Sequence, residues 1–220
     1  MAQVRMRPTS RSLKSMWLNN IFGIMRKKIL IIIMLIIGNM TMMAQQPMEG
    51  WKKIDATELQ CRPVDLFANQ WMALAMGNKE KMNSMTIAWG TIGELWNKNV
   101  VIVYVSSSRF SKHLMDENPY FTVTAFPNDE VSRKGLTYIG THSQKDDPDK
   151  TAHSGLHAEF TPLGNPVFKE GNLTIECKKI YADEFKRDLL PDDVKNGMYG
   201  NDRMGLHTFY IGEIVNVWQK

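Results

Sequence analysis

Cysteine is scarce in this chain of 220 residues, which has only Cys61 and Cys177. Two thiols cannot build a disulfide scaffold or a four-thiolate zinc site. Either they pair in an oxidising compartment, or Cys177, on an apolar strand, is a buried thiol. A histidine-based metal centre has no better support. His153 and His157 are four apart, but Gly155 between them weakens the helix that would aim both at one ion, and no third ligand stands at motif spacing. G-x-S-x-G, a Walker loop and G-x-G-x-x-G are all missing, so hydrolase, NTPase and Rossmann readings lack support. The longest unbroken apolar run is Ile29 to Ile37, well short of the roughly 20 residues that span a bilayer.

Acidic residues are absent from positions 1–44, which carry Arg5, Arg7, Arg11, Lys14, Arg26, Lys27 and Lys28. Three basic residues, a short apolar run and Thr41-Met42-Met43-Ala44 before Gln45-Gln46-Pro47 have the order of a secretory signal peptide, with cleavage expected after Ala44. Met25 is a natural first residue for it, making 1–24 an upstream extension and 25–44 the signal proper. No cysteine sits at the cleavage point, so no lipid anchor is expected. The mature protein would be periplasmic or secreted, with no stable membrane anchor. The formal charge of +4 also belongs to this leader: without its seven basic residues, 20 Lys and Arg face 23 Asp and Glu, a charge of −3. A nucleic-acid partner is therefore not expected.

The remainder suits one domain, with an arm over 45–58 and the domain proper over 59–220. Pro63 predicts extended or turn-like backbone from Cys61 to Phe67. Trp71 to Met76 reads as a strand that forms a hairpin, through Gly77-Asn78-Lys79, with the strand beginning at Asn83. Val100 to Val105 is a β-branched run suited to a strand buried on both faces. Further strands are expected at Tyr120 to Phe126, Asn172 to Tyr181 and His207 to Val215. Short helices are expected at Ser111 to Asn118, Ser132 to Ile139 and Lys150 to His153. Asp183 to Gly205 is a long polar excursion of the kind tied to a site or partner. Many strands with brief helices favour a β-barrel over a doubly wound sheet.

The chemically suggestive stretch is Asn83-Ser84-Met85-Thr86-Ile87-Ala88-Trp89-Gly90-Thr91-Ile92-Gly93-Glu94-Leu95-Trp96-Asn97-Lys98. It reads as a half-buried strand entering a turn punctuated by Gly90 and Gly93. Small side chains at Ser84, Thr86 and Ala88 beside tryptophans would let a flat heteroaromatic ring lie against the backbone; a plain core strand and loop is the other reading. The stretch resembles the signature N-x-M-T-x-(S/A)-W-G-x-x-G-x-L-W-x-K of the flavin reductase-like family, in its flavoredoxin-like branch. The likeness runs from about Leu59 to Val215.

The resemblance implies a mainly β fold, an FMN-binding split β-barrel with a few short helices. It also implies that Asn83, Ser84, Met85, Thr86, Ile87, Ala88 and Trp89 lie against the flavin ring and ribityl chain, the Thr86 hydroxyl bonding a flavin oxygen. Ser106-Ser107-Ser108-Arg109-Phe110 stands where the family reads R-P-x-R-Y, and Ser106, Ser107, Ser108 and Arg109 are the phosphate candidates. Ser143 to Lys150 resembles the S-G-R-D-x-D-K loop, which adds Ser143 and Lys150. The implied activity is redox chemistry at flavin N5 with FMN as cofactor, NAD(P)H as the family's electron donor, and no catalytic acid or base from the chain. The implied assembly is a homodimer with flavin near the subunit interface. The alternatives are an electron carrier that meets a redox protein partner without turnover, and a flavin-free interaction module.

Overall fold

The computed structural model describes residues 48–200 and 204–220. The leader and the expected cleavage point at Ala44 lie outside them. Among the described residues ten strands and four α-helices follow one another: β1 (Lys52–Ile54), β2 (Met72–Gly77), β3 (Met82–Ile87), β4 (Gly90–Leu95), β5 (Lys98–Ser106), α1 (Ser111–Glu117), β6 (Tyr120–Ala125), α2 (Glu130–Thr141), α3 (Lys150–His153), β7 (Ala158–Phe160), β8 (Pro166–Phe168), β9 (Leu173–Glu184), α4 (Asp192–Gly197) and β10 (His207–Gln219). Eight strands form one antiparallel sheet in the order β3-β2-β6-β9-β10-β5-β4, with β1 added to β10; β7 and β8 make a separate hairpin. The mainly β barrel expected from the sequence is therefore observed. Strands β3 and β4 are the two ends of the ladder, yet only Ala88 and Trp89 separate them in the chain. The split in the barrel is thus spanned by the stretch that carries the signature.

Strand β2 explains how the core is layered. All six of its residues are buried. Met72, Leu74 and Met76 face the barrel interior with Phe121, Val123, Val103 and Tyr210, while Ala73 and Ala75 face Leu136, Ile139, Leu156 and Phe168. Period-two alternation of large and small side chains lets α2 approach the sheet closely on the alanine side. Helix α2 answers with Ser132, Gly135, Leu136 and Ile139 buried, the spacing of one helical face. Asp129 caps it, accepting the Ser132 N–H at 2.8 Å.

The β2–β3 turn needs its glycine: Gly77 has φ +104°, and a Cβ there would stand 2.1 Å from the Lys81 carbonyl oxygen. Gly90 and Gly93 correct the sequence reading, since both lie in β4 rather than in a turn. A Cβ on Gly90 would meet the Phe67 ring at 2.2 Å, so that glycine serves packing. The turn comes later, where Trp96 and Asn97 join β4 to β5 with φ 57° each, the two left-handed residues that match strand twist in a tight hairpin.

Two more expectations need correction. The segment expected to be extended from Cys61 is helical from Pro63, and Leu66 N–H donates to the Arg62 carbonyl at 3.0 Å. Proline restricts the residue before it but suits a first helical turn, where its missing N–H has no partner to lose. The expected arm contains β1, which pairs Lys52–Ile54 with Val217–Gln219, and Trp51 is buried beside Trp218 and Val167. Cys61 and Cys177 are free thiols, and Cys177 is fully buried in the interior cluster. Burial pushes its thiol up.

Candidate functional site

A cleft of about 520 Å³ opens at the split, lined by Met85, Thr86, Ile87, Ala88 and Trp89 on one side and by Tyr104, Ser106, Ser108, Arg109, Met204 and His207 on the other. Its volume lies within the roughly 300–1,000 Å³ of small-molecule sites. Among the described residues strand β3 ends the ladder, so one of its edges has no strand partner there and keeps main-chain groups available to a ligand. The opposite wall follows from the β5–β10 register, which sets His207 against Ser106. Tyr104 and Ser106 share a face of β5 by strand alternation.

Of the residues singled out from the sequence, Met85, Thr86, Ile87, Ala88, Trp89, Ser106, Ser108 and Arg109 meet in this cleft. Asn83, Ser84, Ser107, Ser143 and Lys150 are not among its lining residues. Asn83 is buried and ties β3 to α1: its Nδ2 donates to Ser111 Oγ at 3.0 Å, and its Oδ1 accepts the Ser84 N–H at 2.7 Å. Ser84 Oγ lies 3.3 Å from Thr151 Oγ1. Ser143 Oγ accepts the Lys145 N–H at 3.2 Å, and Ser107 N–H donates to the Leu206 carbonyl at 2.9 Å. The Thr86 hydroxyl donates its proton to the Leu136 carbonyl of α2, which leaves its lone pairs for a ligand donor.

At the cationic end the serines are engaged with one another. Ser106 Oγ donates to the Gly205 carbonyl at 3.0 Å and lies 2.9 Å from Ser108 Oγ. A hydroxyl has one proton, so the Ser108 proton goes to Ser106, and Arg109 is the strong donor that is left. Arg109 Nη1 donates to the Gly140 carbonyl at 2.9 Å. Lys150 Nζ donates to the His142 carbonyl at 3.2 Å. Both cations thus converge on the C-terminal end of α2, where the helix dipole favours positive charge. Lys150 is buried, and that burial, reinforced by the nearby Arg109 charge and opposed by Asp147, lowers its pKa to about 8.

Tyr104, Met204 and His207 were missed by sequence reasoning as site residues. Strand alternation over Val100 to Ser106 could have placed Tyr104 on the face of Ser106. Nothing local marks His207, which reaches the cleft through the pairing of β10 with β5, two strands about a hundred residues apart. Its ring lies 4.9 Å from that of Trp89, tilted 44°. Burial, and then Arg109, lowers its pKa. Next to the cleft, Tyr104 stacks on Phe185 at 5.8 Å, Phe185 packs on Phe209, Phe209 on Tyr181, and Tyr181 on Trp96. Trp96 and Tyr181 are exposed. Among the described residues no cluster of three or more His, Cys, Asp or Glu could hold a metal.

No protein-family model and no curated protein matches this sequence, whereas solved structures do. Flavoredoxin from Methanosarcina acetivorans superposes with a TM-score of 0.53 at 22% identity, covering 69% of this chain and 68% of its own. The FMN-binding domain of a flavin reductase-like enzyme from Shewanella baltica gives 0.54 at 14% identity, covering 79% of each chain. An NADH:FAD oxidoreductase from Streptomyces globisporus gives 0.53 at 15%, covering 69% and 76%. The chain has the split-barrel fold of the flavin reductase-like proteins.

Proposed function

We propose that this chain is an exported FMN-binding flavoprotein of the flavin reductase-like type, passing electrons at flavin N5 and working as a homodimer. The reading is carried by the position of the cleft. It opens where the ladder is split, against the free edge of β3, and Arg109 stands at one end. Those features suit the three demands of FMN: a flat slot, main-chain partners for a heteroaromatic edge, and countercharge for a phosphate. Bound FMN would supply the two-electron redox chemistry. The chain's share is binding and orientation. Met85, Ile87 and Ala88 offer an apolar wall for the ring, and Trp89 flanks the opening. Arg109 offers a guanidinium to the phosphate, and Lys150 adds positive charge behind it.

The aromatic row from Tyr104 through Phe185, Phe209 and Tyr181 to Trp96 runs from the cleft across the outer sheet. A partly exposed apolar strip of this kind, open at Trp96 and Tyr181, fits association with a second copy, which would bring the dimer interface to the edge of the site. Export rests on the leader sequence, and NAD(P)H as donor rests on the resemblance.

The experiment is a spectrum of freshly purified protein, followed by denaturation and chromatography of the released chromophore. A yellow preparation releasing FMN supports the reading. A colourless preparation that takes up no FMN refutes it in favour of an interaction module. Bound FMN that NADH fails to reduce, with reduction by a protein partner instead, would make the chain an electron carrier.

A further inference from the structure

The excursion between β9 and β10 brings Tyr199 against a residue of the cleft wall. Tyr199, just after α4, is buried, and its phenol oxygen lies 2.9 Å from Nδ1 of His207, also buried and a lining residue of the cleft. Both partners are held. Arg187 Nη2 donates to the Tyr199 carbonyl at 3.0 Å, and the Phe185 N–H donates to the His207 carbonyl at 3.0 Å. The His207 ring is further confined by Trp89 on its cleft side.

The contact admits two proton arrangements. Either the phenol donates to Nδ1 and the imidazole carries its proton on Nε2, or Nδ1–H donates to the phenol oxygen. The second leaves the phenol proton in a buried place with no acceptor among the described residues, and buried hydroxyls are rarely left so. The first satisfies both groups. It also agrees with a neutral pair, since burial raises the Tyr199 pKa, while burial and then Arg109 lower that of His207. Among the described residues no carboxylate hydrogen-bonds the ring.

We propose that Tyr199 is a positioning residue that fixes His207 as the Nε2–H tautomer, leaving a neutral N–H donor in the cleft wall for a carbonyl oxygen of the bound ligand. The tautomer of a histidine is set by the bond its other nitrogen makes. Only the identity of the carbonyl-bearing ligand rests on the flavin reading; the tautomer does not.

The test is long-range ¹H–¹⁵N NMR of the full-length protein labelled with ¹⁵N-histidine, first free of ligand at pH 7.5. His207→Gln assigns the signals. The wild type is expected to show an unprotonated Nδ1 and a protonated Nε2. Tyr199→Phe, which keeps the ring packing, should move both shifts toward a tautomer mixture. FMN added to the wild type should shift Nε2, and Tyr199→Phe should bind FMN about fivefold more weakly, the scale of one neutral hydrogen bond. A wild-type Nδ1–H or cationic form, unchanged shifts in Tyr199→Phe, or an Nε2 signal indifferent to bound FMN would each overturn the proposal. Should Tyr199→Phe fail to fold, the wild-type tautomer alone decides. Should FMN not bind at all, the function proposed above fails, while the tautomer result stands.

Discussion

Replacing Lys150 by methionine should leave the ligand-free protein as stable at pH 7 or more so, while weakening its hold on FMN. The side chain is 2% exposed and its pKa falls from 10.5 to about 8. At 1.36 kcal/mol per unit, keeping the ammonium charged inside the fold costs about 3 kcal/mol. Against this stands the bond to the His142 carbonyl, worth about 1–2 kcal/mol. Methionine has a similar length and no charge, so the net change at pH 7 should lie between nothing and about 2 kcal/mol of stabilisation. The pH dependence gives the sharper sign. Because the folded pKa lies below the unfolded one, the unfolded chain binds the extra proton between about pH 8 and pH 10.5. Wild-type stability relative to the variant must therefore rise across that window, and the cost is fully present below it. Urea unfolding of both proteins at pH 7 and pH 10 measures the difference directly. A variant several kcal/mol less stable at pH 7, or a gap independent of pH, would refute the argument. In parallel titrations the variant should lose affinity for FMN but not for riboflavin, which lacks the phosphate.

Arg109→Ala should weaken FMN roughly 10- to 100-fold, the loss of a charge-assisted bond, with riboflavin unaffected; fluorescence titration of both ligands checks it. Glu176 is buried and accepts from Asn165 Nδ2 at 2.7 Å, Asn216 Nδ2 at 2.5 Å and the Thr161 hydroxyl. Glu176→Gln would set an amide donor against one of these donors and should cost about 1–3 kcal/mol in denaturant unfolding. Leu136→Ala should cost about 2–5 kcal/mol by opening a cavity between α2 and β2, measured in the same way. Phe209→Glu, a charge in the middle of the aromatic row, should convert a dimer to monomers in light scattering, and an unchanged mass would remove that row from the interface.

Much of the fold was legible because the strands carry their own signals. The β-branched run at Val100 to Val105 and the hairpin around Gly77 stand in β5 and in the β2–β3 turn. Local grammar misled where packing governs a residue. Gly90 reads as a turn former but makes room for Phe67, and Pro63 reads as a helix breaker but opens a helical turn. In the candidate site, the contiguous stretch Met85 to Trp89 was marked by its resemblance to the family signature. On the far wall His207 and Tyr104 were not, since they arrive by pairing between distant strands, and Tyr199 arrives through the chain that follows α4. Nor does sequence show that the Thr86 proton and the serine hydroxyls are already engaged inside the protein.

A crystal structure of the protein with FMN is the most direct measurement. The isoalloxazine is expected against the free edge of β3 at Met85 to Trp89, with the phosphate on the Arg109 guanidinium. Flavin bound elsewhere on the barrel, or crystals that stay colourless in excess FMN, would contradict the account.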